Sequence, residues 1–172
     1  GEDSAKYINS PESPIFKKSR ELYGLDLAAQ EIRRSKEAIL TEGYMDVIAC
    51  HQAGVENAVA PLGTAFTEEQ AKALHRLCET LVLVFDADRA GMAAAEKSGR
   101  IAESLGLKVE VVALPEGRDP ADILQNDGVK VLRELLGDRR ELFDALMQQA
   151  AAETNLATSE GRELVLNKLF PY

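Results

Sequence analysis

The chain has 172 residues and a formal net charge of −9, from 20 Lys and Arg against 29 Asp and Glu. Its apolar content of 45% and charged content of 28% are globular values, and the length suits one ordinary domain or a little more. The acidic balance argues against a stand-alone nucleic-acid binder with a basic stripe, but leaves room for an acidic cleft whose bound ions supply positive charge.

The N-terminal GEDSAKYINS is no signal peptide, and no apolar run is long enough to span a bilayer, so the expected setting is soluble and cytoplasmic. Residues 1–36 read as an approach segment: NSPESP supplies turn-forming Asn, Ser and Pro, and LDLAAQEIRRSKEA is a helix. Basic residues are densest here, with Lys6, Lys17, Lys18, Arg20, Arg33, Arg34 and Lys36. From Ala38 strand and helix alternate. AILT is a short strand, Tyr44 to Ala53 a helix stopped by Gly54, and Asn57 to Ala60 a strand. Thr67 and Gln70 fit a capping box, N-cap and N3, opening a helix to about Cys78. Leu81 to Phe85, apolar and rich in β-branched residues, is a buried strand. A helix from Arg89 to Leu105, stopped by Gly106, leads to a strand over Lys108–Ala113. Short strands separated by helices imply parallel pairing through right-handed crossovers. Residues 37–118 are therefore expected to form an α/β domain of about four parallel strands with flanking helices.

After Pro115 the character changes. Asp119 and Pro120 open a helix as N-cap and N1, and Asn126-Asp127-Gly128 breaks it. Val129–Leu136, Arg139–Glu153 and Ser159–Leu169 are expected to be helical. Residues 119–172 thus read as a truncated helical subdomain, and the whole as a fragment. Cys50 and Cys78 each have a histidine close by (His51, His75) but lack zinc spacing, and read as reduced thiols.

In an open parallel sheet, sites form beyond the carboxyl ends of the strands. Acidic residues follow three of the expected strands: Glu42 after AILT, Asp86 and Asp88 after LVLVF, and Asp119 with Asp122 after Lys108–Ala113. Asp46 lies one turn beyond Glu42. Side chains two apart on a strand point the same way, so Asp86 and Asp88 repel unless water, hydrogen bonds or a divalent cation offsets their charge. Alternatively Asp88 caps the helix at Arg89, and Asp86 is an ordinary turn residue. Several carboxylates from three strand ends favour a shared site. Oxygen-only ligands suit Mg²⁺ or Mn²⁺ rather than Zn²⁺, and metal-assisted phosphoryl or nucleotidyl transfer is the matching chemistry. Gly43 is expected to let the backbone turn sharply. The PLGTAF loop either presents N–H groups to a phosphate or simply turns into the capped helix.

A glutamate after the first strand with a later DxD resembles the Toprim domain of bacterial primases, type IA and II topoisomerases, certain nucleases and recombination mediators. TEGYMDVIACHQAGVENAVAPLGTAFTEEQ, VFDADRAGMAA, LPEGRDPADIL and the upstream KYINSPESPIFKKSRELYGL are similar to the catalytic core of bacterial replicative primases of the DnaG type. The similarity covers most of residues 5–128. It implies that Glu42, Asp86 and Asp88 bind divalent metal and support catalysis, with Asp46 and Asp119 as supporting positions. It also implies that Lys6, Tyr7, Asn9 and Lys18 handle nucleotide and primer. Many primases read DPD where this chain reads Asp119-Pro120-Ala121-Asp122, so Asp122 either serves the metal or only complements the helix dipole.

The implied reaction is templated ribonucleotidyl transfer from NTPs, making short RNA primers on single-stranded DNA with Mg²⁺ or Mn²⁺. The resemblance further implies a zinc-binding N-terminal module and a C-terminal domain that meets the replicative helicase, both outside this sequence. The piece is expected to be monomeric and to prime weakly or not at all. Two rivals are another Toprim phosphodiester-processing enzyme, a nuclease or topoisomerase-type domain, and a receiver-like phospho-acceptor switch. A receiver carries its acidic pair after the first strand and the single acceptor later, the reverse of the order here.

Overall fold

The structure, a computed structural model, describes residues 10–85, 89–153, 158–159 and 162–163. In chain order the elements are β1 (Leu22–Tyr23), α1 (Leu25–Ser35), β2 (Glu37–Leu40), α2 (Tyr44–Gln52), β3 (Ala58–Pro61) and α3 (Glu68–His75). They continue with β4 (Thr80–Phe85), α4 (Arg89–Ser104), β5 (Lys108–Ala113), α5 (Pro120–Gly137), β6 (Arg139–Glu141) and α6 (Leu142–Glu153). Among the described residues the sheet has six strands in the order β1-β3-β2-β4-β5-β6. The inner four run parallel, with Ile39 opposite both Ala58 and Val82, and Phe85 opposite Ala113. No helix among the described residues is long and apolar enough to cross a membrane.

Strand periodicity divides the core into two layers. Leu40, Val59, Leu81, Leu83 and Val109 face α1, α3, α4 and α6, where they meet Ile32, Leu74, Ala102 and Leu146. Ile39, Val82, Val84 and Val112 face α2 and α5, where they meet Cys50, Ile123 and Leu132. A sheet covered on both faces needs apolar residues at successive positions, which is why these strands do not alternate with polar residues. Each fully buried Leu or Val here contributes about 1.5–3 kcal/mol. Burial also pushes the thiols of Cys50 and Cys78 up, to about 12 and about 11, so both stay protonated and unreactive.

The parallel core agrees with the sequence reading, and the sheet margins add to it. Leu22–Tyr23, expected within the approach segment, pairs antiparallel with Pro61 and Ala60. Arg139–Glu141, expected as the start of a helix, is β6 instead, paired with Val112 to Glu110, and α6 begins only at Leu142. Tertiary contacts override local propensity there. The Arg139 guanidinium donates to Leu136 O at 3.0 Å and to Glu37 at 2.8 Å, which draws the segment across the sheet margin. Beyond residue 118, α5 covers one face of the sheet and β6 extends it. The expected break at Gly128 is a kink within α5, at φ 87° and ψ 175°. The expected helix Ser159–Leu169 falls largely outside the described residues.

Candidate metal centre at the carboxyl rim of the sheet

The parallel strands end together, and the loops leaving them bring the carboxylates to one rim. Glu42 leaves β2 and is exposed; Asp46 lies in the first turn of α2 and is 7% exposed. Asp119, half-buried, caps α5, its Oδ1 accepting from the Asp122 N–H at 2.7 Å. Glu42, Gly43, Asp46, Asp119 and Pro120 line a cleft of about 210 Å³ with Val84 of β4 in its wall. A larger groove of about 540 Å³, between the β1 strand and α2, is mainly apolar and holds none of these carboxylates.

Asp46 shows what the cleft does to a carboxyl group. Its Oδ2 accepts from the Gly43 N–H at 3.0 Å, closing the first turn of α2. Burial pushes its pKa up from 3.8 to about 7, and the neighbouring charges of Asp119 and Glu42 add to that, against the backbone N–H groups of Gly43 and Ala121. A concave set of carboxylate oxygens whose mutual repulsion raises a proton affinity is a donor set suited to a hard divalent cation. Among the described residues, no three His, Cys, Asp or Glu side chains by themselves form a metal cage. Asp86 and Asp88, which follow β4 directly, lie outside the described residues.

The other expected positions divide similarly. Lys6, Tyr7 and Asn9 lie outside the described residues. Lys18 is described and half-buried, its N–H donating to Glu12 Oε1 at 3.2 Å. Asp122 is exposed one turn into α5 and does not line the cleft. Gly43 departs from its expected role. At φ −137° and ψ 169° its backbone is extended, as any residue could be. What favours glycine there is room: a Cβ would stand 3.3 Å from Asp46 Oδ2.

Contacts that sequence reasoning missed lie on the same rim. The capping box of α3 is present, the Gln70 N–H donating to Thr67 Oγ1 at 3.2 Å and the Thr67 N–H to Gln70 Oε1 at 3.0 Å. Its side chains also donate outward. Gln70 Nε2 reaches Lys18 O at 3.0 Å and Glu21 O at 2.8 Å, and Thr67 Oγ1 reaches Ser19 O at 2.6 Å. The T-x-x-Q spacing announced the cap; nothing local announced the distant loop it holds.

The chain belongs to the Toprim-like family, whose model matches residues 39–124. Residues 1–29 match the N-terminal domain of the DNA primase catalytic core. A DNA primase of Halalkalibacterium halodurans is 41% identical over 170 residues, covering 98% of this chain. The chain spans 28% of that relative's length. The RNA polymerase domain of Mycobacterium tuberculosis primase DnaG superposes with a TM-score of 0.85 at 38% identity, covering 99% of this chain and 57% of that one. A DnaG primase catalytic domain bound to ssDNA gives 0.83 at 33% identity, covering 99% and 56%. Toprim domains of primases generally use divalent metals, in keeping with the oxygen donors of the cleft.

Proposed function

We propose that this chain carries the metal-dependent catalytic centre of a bacterial DNA primase, a DNA-directed RNA polymerase that makes short RNA primers on single-stranded DNA. The observation that carries this reading is the convergence of Glu42, Asp46 and Asp119 on one cleft at the carboxyl rim, where β4 runs directly into Asp86 and Asp88. In this reading residues 37–118 are the Toprim unit, residues 1–36 lead into it, and 119–172 are a further part, mainly helical among its described residues, whose Asp119 lines the cleft.

The chemistry follows from the donors. Bound here, Mg²⁺ or Mn²⁺ would neutralise triphosphate charge and favour loss of a hydroxyl proton. Asp86 and Asp88 would hold the cation, which would offset the charge of the incoming nucleotide's phosphates. Glu42, exposed at the lip, adds a ligand or draws the proton from the primer 3′-hydroxyl. Asp119 closes the acidic rim, Asp46 supports it from below, and Asp122 complements the dipole of α5. Lys6, Tyr7, Asn9 and Lys18 handle nucleotide and primer. The expected partners are single-stranded DNA, NTPs, the growing primer and a replicative helicase. That the similar proteins described above are primases, one of them bound to ssDNA, supports this over a Toprim nuclease or topoisomerase.

Calorimetric titration with Mn²⁺ tests the assignment. Asp86→Ala with Asp88→Ala should lower the affinity about tenfold or more, since each lost charge-assisted ligand contact counts for roughly 1.5–3 kcal/mol. Binding unchanged in the double variant would remove both aspartates from the site.

A further inference from the structure

β1 fixes where the preceding loop lies. Leu22 pairs with Pro61, the last residue of β3, and β1 runs antiparallel to it. The chain before Leu22 therefore continues past the carboxyl end of β3, onto the rim where Glu42, Asp46 and Asp119 gather. Lys17, Lys18 and Arg20 lie on this stretch, which is held against the N-terminal end of α3. Arg20 is engaged by Glu69 through two contacts of 2.9 and 3.1 Å.

Gln70 is completely buried, and capping α3 requires only its Oε1. A glutamate at N3 would cap as well. Both N–H donors of the Gln70 amide go instead to carbonyls of the loop, at Lys18 and Glu21, and the Thr67 hydroxyl donates to Ser19 between them. Three bonds from one helix end thus fix the backbone from the Lys18 carbonyl to Glu21, on the C-terminal side of the Lys18 side chain. A lysine on a fixed backbone loses less freedom when its ammonium meets a phosphate.

We propose that Gln70 and Thr67 are positioning residues that hold Lys18 at the carboxyl rim for contact with nucleotide phosphate. The proposal rests on the reading of Lys18 as a nucleotide-handling residue. It is tested by calorimetric binding of ATP with Mn²⁺ to the 172-residue chain. Lys18→Ala should weaken binding about tenfold and Gln70→Met about fivefold, in line with the loss of one charged contact or its alignment. In the Lys18→Ala background, Gln70→Met should produce no further loss. An equal loss in both backgrounds, or none beside a clear effect of Lys18→Ala, overturns the positioning role. No effect of Lys18→Ala overturns the reading of Lys18 and the proposal with it. Should Gln70→Met not fold, Thr67→Val and Thr67→Ser decide: Val should weaken binding and Ser retain it, and equal weakening by both overturns the proposal.

Discussion

Asp46 keeps a proton at a pH where most aspartates have lost theirs, and this gives the acidic cleft a thermodynamic signature. In the unfolded chain the carboxyl ionises near 3.8; folded, with burial and then Asp119 and Glu42 acting on it, it ionises near 7. Between those values the folded state binds more protons, so stability falls as pH rises through this window, by up to about 1.4 kcal/mol per pH unit. Above it the loss is complete and constant. Asp46→Asn removes the ionisation while leaving an oxygen for the Gly43 N–H. Thermal melts should show this variant more stable than the parent at about pH 8 and equal to it at about pH 4. An identical gain at every pH would mean that Asp46 titrates normally. Mn²⁺ should raise the melting temperature of the parent most at the alkaline end, because the cation offsets the same repulsion.

Helix packing sets a different kind of constraint between α4 and α6. A Cβ built on Gly99 would lie 2.2 Å from Leu142 Cδ2, and Leu142 is almost wholly buried at the start of α6. Gly99→Ala should therefore destabilise the fold by about 1–3 kcal/mol, read by urea unfolding, although alanine favours a helix intrinsically. A stabilised variant would show that Leu142 repacks freely. The position also shows where sequence reading stops. Leu81–Phe85, Lys108–Ala113 and the caps at Thr67 and Asp119 were legible because apolar runs and cap residues are local signals. β1 and β6 were not. Two or three residues carry no period, and β6 is drawn in by the contact of Arg139 with Glu37, far away in sequence. Among the site residues, Glu42 and Asp119 could be placed by the rule that sites follow strand ends. The burial of Asp46 and the outward donors of Gln70 depend on neighbours that only the fold supplies.

Over the whole molecule, charge is distributed unevenly. The total is −9, with an acidic cleft and a lysine-bearing loop on the same rim. Non-specific affinity for DNA follows the phosphates that cations neutralise, and an acidic chain offers few. At about 150 mM salt the chain by itself should bind single-stranded DNA with a Kd of about 10⁻⁴ M or weaker, with Mn²⁺ tightening the complex. Fluorescence anisotropy of a labelled oligonucleotide measures this. Strong binding without metal would place the template on a basic surface that the cleft does not explain.

The shortness of β1 has a consequence of its own. Parallel strands such as β3 present a row of backbone groups to whatever comes alongside, and a long exposed margin invites another chain to add to it. A two-residue antiparallel strand covers that margin at Ala60 and Pro61 and is itself too short to serve as a template. Trimming the chain to begin after Gly24 would leave the core strands intact while uncovering β3. The damage would then show as self-association growing with protein concentration, well before any loss of secondary structure.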